Sequence, residues 1–180
     1  RYRVPNVNQC KECHAAKDVI TPIGPKAKNI NKDFSYEEGE FNQLAYWMKK
    51  EIINAFPQDL VSPVDWSDKT QNIDDRARSY LDVNCGHCHS ATGNANSTGL
   101  YLNLVETRDI NLGNYKKPVA TRRGSGGNKY SIVPGKPDES ILLYRMQSMD
   151  PGIMMPESGR VLTHQEAVEM LREWITKLPN

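Results

Sequence analysis

The stretch Tyr80-Leu81-Asp82-Val83-Asn84-Cys85-Gly86-His87-Cys88-His89 decides how this chain is read. Upstream of it, Ile73, Ala77, Tyr80, Leu81 and Asn84 recur at intervals of three and four, the spacing of one helical face. Asp74 and Asp75 favour the positive end of a helix dipole. The sequence therefore predicts a helix that starts near Asn72–Asp74 and runs straight into Cys85. The same C-x-x-C-H spacing occurs once more, at Cys10-Lys11-Glu12-Cys13-His14, and with 4 Cys in the chain no cysteine is left over.

Several chemistries use paired cysteines. A redox dithiol sits in a strand-to-helix setting, which neither pair has. A single zinc site built from two C-x-x-C knuckles normally has them ~15–20 residues apart, and here the gap is far longer. The histidines separate the readings. With 4 His in 180 residues, a chance His directly after both pairs is roughly a one-in-two-thousand event, whereas covalent haem attachment requires both. Each thiol adds across a vinyl group to form a thioether, and the adjacent His becomes the proximal iron ligand. The sequence thus predicts two covalently bound haem c groups, held by Cys10 and Cys13 and by Cys85 and Cys88, with His14 and His89 on the irons. Zinc and disulfides are the competing readings.

Composition sets the outer limits. Lys+Arg 23 against Asp+Glu 22 gives a net charge of +1, so no basic footprint points to nucleic acid. The longest clean apolar run, Ile141-Leu142-Leu143-Tyr144, is far short of the ~18–20 residues of a membrane span. A hydrophobic content of 38% lies below the roughly 45–50% of ordinary domains, so a cofactor that brings its own apolar surface would help close the core. The chain begins without Met and reads as a processed product or a piece of something longer.

Residues 1–60 form the first expected lobe. In it Phe41, Leu44, Ala45, Met48, Ile52 and Phe56 share a helical face that Pro57 ends. Residues 61–71, with Asp, Ser and Pro, read as a linker. Residues 72–180 form the second lobe. There Gly93–Gly99 is loop, Tyr101-Leu102-Asn103-Leu104 a short apolar alternation, and Arg122–Asn128 a flexible loop. Asp138 is expected to cap a short helix reaching about Met146. Thr163-His164-Gln165-Glu166 reads as a capping box for a last helix carrying Ala167, Leu171, Trp174, Ile175 and Leu178, ended by Pro179.

With these motifs the chain resembles the c-type cytochromes, and more narrowly the dihaem cytochrome c domains of exported bacterial proteins. Pro5-Asn6-Val7-Asn8-Gln9, Tyr80-Leu81-Asp82-Val83-Asn84, Val133-Pro134-Gly135-Lys136-Pro137 and Met154-Met155-Pro156-Glu157 carry the likeness. It implies a mainly α fold of two small class I cytochrome c-like haem lobes with long loops, the last helix packed across the one that enters the second motif. It also implies a methionine ligand from the loop before that helix: Met155, with Met154 second and gap-filling core methionines as the bland alternative. Gly24-Pro25 resembles the pair whose carbonyl orients the proximal His, here His14.

The sixth ligand of the first haem has no such signal. Met48 falls on an apolar helix face. Lys28, like Lys26, lies in a loop and would ligate only if burial removed its proton. His87 is expected to point outward and His164 to be a surface or loop-packing residue; either would serve a haem only if the two lobes folded tightly on one another, which is not anticipated. The resulting expectation is a carrier moving electrons between a redox donor and a redox acceptor, not an enzyme. It would work in the bacterial periplasm or at the cell surface, where haem c is attached, as a free protein or as a domain fused to another. The alternative is a peroxidase-like haem enzyme or a sensor with one open iron.

Overall fold

In the computed structural model, residues 4–16, 19–119 and 121–179 are described. Helix α4, Ile73–Asn84, begins where the side chain of Asn72 accepts the Asp74 amide (2.8 Å) and ends one residue before Cys85. Its buried face carries Ala77, Tyr80 and Leu81, while Asn84, spaced for the same face, is exposed. Helix α7, Gln165–Lys177, buries Ala167, Val168, Met170, Leu171, Trp174 and Ile175. The two helices pack on each other, and the Trp174 indole donates to Asp74 Oδ1 (2.7 Å) at the start of α4. Helix α6, Ile141–Gln147, lies on α7 and adds Leu143 to this core; Leu102 and Ile132 complete it.

The fold is mainly α, with seven α-helices among the described residues. Strands are confined to two antiparallel pairs, β1 (Ala15–Ala16) with β2 (Val19–Ile20) and β3 (Asp33–Tyr36) with β4 (Gly39–Asn42). No described helix is long and apolar enough to cross a membrane.

The N-terminal third is differently built. Helix α1, Val7–His14, starts in a capping box: Asn6 Oδ1 accepts the Gln9 amide and Gln9 Oε1 accepts the Asn6 amide, each 3.0 Å. The short helix α2 covers Ala27–Ile30 and α3 covers Gln43–Lys49. Among the described residues before Arg76, Leu44 alone is buried. Local pairs supply the order instead, including Tyr36 stacked on Tyr46 with ring centroids 3.7 Å apart.

Several expected elements differ. The face from Phe41 to Phe56 is not one helix. Asn42 Oδ1 accepts the Leu44 and Ala45 amides, so α3 starts after Phe41, which lies in β4. Glu51 in left-handed conformation (φ 58°) follows the helix end, leaving Met48 and Ile52 exposed. Asp138 does not cap α6: a 3₁₀ turn covers Pro137–Glu139, Asp138 pairs with Arg172 (2.8 Å), and Ser140 precedes the helix with its hydroxyl on the Val133 amide. The Thr163 box is also not formed, because α7 starts at Gln165 and the Thr163 hydroxyl faces Met149 Sδ at 3.5 Å. Arg122–Ser125 is a 3₁₀ turn with Gly124 buried, not a featureless loop. The alternation over Tyr101–Leu104 has no regular element, and α4 holds its end, Arg78 donating to the Asn103, Leu104 and Glu106 carbonyls while Asp82 accepts the Leu104 amide.

The stretch read as a linker lies against α4. Ser79 Oγ accepts the Val64 amide (2.9 Å), Arg76 Nε donates to the Trp66 carbonyl (2.7 Å), and Trp66 packs on the core. Because Leu171 is fully buried in that core, Leu171→Ala removes its packing and leaves a void. A loss of about 2–5 kcal/mol is expected, read as a lower denaturant midpoint with an unchanged slope.

Candidate functional site

The end of α4 sets the second motif. The Cys85 and Gly86 amides donate to the Leu81 carbonyl (2.8 and 2.9 Å), and the Cys88 and His89 amides close back on the Cys85 carbonyl (3.1 and 2.8 Å). A Cβ at Gly86 would stand 2.7 Å from the Asp82 carbonyl oxygen, and one at Gly93 would meet the carbonyl of Cys88. Both glycines let the chain pass close to the motif. The Leu102 amide then donates to the His89 carbonyl (2.8 Å), fixing the backbone under that ring.

Cys85, Cys88 and His89 face a cavity of about 1130 Å³, above the ~300–1,000 Å³ of ordinary small-molecule sites. Its apolar wall includes Leu100, Leu102, Ile141 and Leu142, and Met155 enters from the loop before α7. Arg123, Arg145 and Arg160 add positive charge to the lining. Met154 is buried but does not line this cavity.

Burial governs the titration of the motif. It pushes the Cys85 thiol up to about 12, with Cys88 adding to the effect. Cys88 is pushed up to about 11, by burial first and then by Cys13. Burial also holds His89 below its ordinary value, against the main chain of Leu100. At neutral pH both groups are therefore thiols and His89 is an uncharged imidazole, the form that ligates a metal. The Nδ1 atoms of His87 and His89 and Arg160 Nε are buried without hydrogen-bond partners.

The first motif lies differently. Cys10 and His14 are exposed, and His14 Nδ1 is 3.4 Å from the Thr21 carbonyl. That carbonyl takes the place expected of Gly24, whose own oxygen accepts from the Lys26 amide and Asn29 Nδ2. Lys28 is engaged elsewhere, its ammonium 2.6 Å from both oxygens of Asp82, a carboxylate only 2% exposed. Met48 is 44% exposed on α3.

Contrary to expectation, the two motifs meet. Cys13 and Glu12 reach the second-motif cavity, and donor atoms of Cys13, His87 and Cys88 lie within 4.8 Å of one another. Cys88 Sγ is 3.7 Å from the Glu12 carbonyl, Asn94 donates to that carbonyl, and Ser158 Oγ is 3.3 Å from Glu12 Oε2. His87 thus turns toward this cluster and not outward. His164 is an exposed residue that packs from the loop before α7: Nδ1 is 3.0 Å from the Tyr80 hydroxyl, its ring stands edge-on to Trp66, and it lines the cavity. Sequence reasoning passed over Tyr80 as a site residue, and also Arg145 and Arg160. The arginines come from two separate stretches with no shared spacing.

The chain matches no protein-family model, and no curated protein or solved structure matches it.

The burial difference gives a direct test on the chain with all four cysteines reduced. Thiolate, not thiol, reacts with iodoacetamide, so at pH 8 exposed Cys10 is modified first and Cys85 last. Peptide mass spectrometry over time reads the order, and equal rates at the two residues would contradict the placement.

Proposed function

We propose that this chain is a dihaem c-type cytochrome, an electron carrier between two redox proteins outside the bacterial cytoplasm. The carrying observation is the large cavity in which Cys85, Cys88 and His89 stand on one side and Met155 enters from another segment. The residues present fit a haem. Two neutral thiols await thioether formation, an uncharged His89 offers a nitrogen, a soft thioether offers the sixth ligand, and leucine and isoleucine side chains cover apolar ring surface. Arg123 and Arg160 would supply the charge that the carboxylates of a porphyrin need.

A bound haem would supply one-electron chemistry, so that the chain could take an electron from a reduced donor protein and pass it to an oxidised acceptor. The residues do the rest. Cys85 and Cys88 would tether the group, and His89 and Met155, which line the same cavity, would serve as its two iron ligands. Thioether ligation favours Fe(II) and raises the potential, and the apolar wall keeps water from competing for the iron. At the first motif Cys10 and Cys13 are the expected tethers and His14 the expected ligand. The Lys28–Asp82 pair speaks against Lys28 as its partner on the iron, and the exposed apolar residues Val7, Val19 and Ile20 offer surface for a second porphyrin to cover.

One observation favours a second reading. Cys13, His87 and Cys88 converge as a soft donor set of the kind zinc takes, which would make the chain a zinc-stapled module with no redox role.

Optical spectra with a pyridine haemochrome count separate these readings, using chain made with the haem-attachment machinery present. The cytochrome gives two haems per chain and no response to carbon monoxide. Its weak far-red methionine–iron band is lost in Met155→Ala, with a fall in reduction potential, and kept in Met154→Ala. Carbon monoxide binding at one haem points to the open-iron enzyme or sensor. A colourless, zinc-containing chain sinks the cytochrome reading.

A further inference from the structure

The segment that carries Met155 is held by a single arginine at alternate positions. Arg145, on α6, donates from Nε to the Ile153 carbonyl (2.8 Å). Its own carbonyl accepts the Met155 amide (3.1 Å). Its terminal nitrogen lies 3.8 Å from Glu157 Oε1, with the side chain 19% exposed. One residue therefore touches positions 153, 155 and 157, on either side of the methionine and at the methionine itself.

The grip is reinforced at both ends. Arg160 donates to the Met146 carbonyl (2.9 Å) and to the carbonyls of Arg145 and Ser148, tying the far end of the segment to the end of α6. At the near end the Ile153 and Met154 amides turn back on the Asp150 carbonyl (2.9 and 2.8 Å), and Arg123 pairs with the Asp150 carboxylate (2.8 Å).

A neutral thioether is a weak ligand with three rotatable bonds. How well it competes with water or an added ligand depends on how little ordering remains when it binds. The guanidinium is suited to that task, because its planar fork presents Nε and the terminal nitrogens in fixed directions and stays charged at any working pH. A lysine has a single nitrogen and reaches one of the two side-chain partners.

We propose that Arg145 is a positioning residue: it holds the 153–157 segment so that Met155 faces the second-motif cavity and keeps the sixth position closed. This rests on the reading of Met155 as an iron ligand. Arg145 itself touches no reacting atom, so its effect shows in ligation and not in haem content.

The test uses the haem-loaded chain as the parent, with Arg145→Ala, Arg145→Lys and, as a control, Arg108→Ala, whose exposed guanidinium pairs with Glu106 away from the cavity lining. Haemochrome counts establish two haems in each. The expected result is loss of the far-red band and carbon monoxide binding at one haem in Arg145→Ala. Arg145→Lys keeps the band at neutral pH but loses it at a lower alkaline midpoint than the parent, and Arg108→Ala matches the parent. Should the alanine variant fail to fold, the midpoint in Arg145→Lys decides, a parent-like value overturning the proposal. A band lost in Met155→Ala but parent-like in both Arg145 variants overturns the positioning role alone. A parent without the band, or a band that survives Met155→Ala, overturns the ligand reading and this proposal with it.

Discussion

The packing of α4 on α7 is the constraint from which the rest follows. Two segments about ninety residues apart bury Ala77, Leu81, Val168, Leu171 and Ile175 against one another, and the Trp174–Asp74 hydrogen bond fixes where along α4 the crossing falls. Once α4 is held, its last turn can point in only one direction. Cys85, one residue past that turn, is delivered to the cavity wall with Cys88 and His89 behind it. The same α7 anchors α6, and α6 carries the arginine that organises the methionine segment. Both sides of the candidate site thus trace back to one helix pair.

The site also reflects a balance between apolar and charged walls. Leucine and isoleucine side chains keep water away, which raises the thiol pKa values and leaves His89 neutral, while arginines from three segments surround the same space. Cations that line an apolar cavity are costly unless an anion answers them. Part of that cost is met by Asp150 at Arg123, by Glu157 at Arg145 and by backbone carbonyls at Arg145 and Arg160, yet Arg160 Nε is left without a partner. A group that joins an apolar body to carboxylates answers both features at once.

What was legible in the sequence was local. The α4 periodicity, its entry into Cys85 and the apolar face of α7 could be read because helical spacing and the C-x-x-C-H pattern lie within a few turns of chain. The placement of Met155 and not Met154 in the cavity followed a resemblance, since two adjacent methionines look alike to any periodicity. What could not be read was non-local. Nothing in the spacing of Cys13, His87 and Cys88 announces that they converge, nor that Lys28 answers Asp82. The misread helix over 41–56 has a simpler cause: apolar residues at intervals of three and four occur by coincidence, and the Asn42 cap with the left-handed Glu51 outweighed them.

The Lys28–Asp82 pair has a consequence for the order in which the molecule assembles. Among the described residues of the first sixty almost nothing is buried, whereas the later part carries a continuous core, so that segment has no interior of its own to collapse around. One of its long-range docking points, the Asp82 carboxylate on α4, is in place only after α4 and α7 have met. The early chain therefore stays open, with Cys10 and Cys13 accessible, until the later chain has folded. The first cysteine pair remains in reach of external chemistry for longer than the second, although it is synthesised earlier.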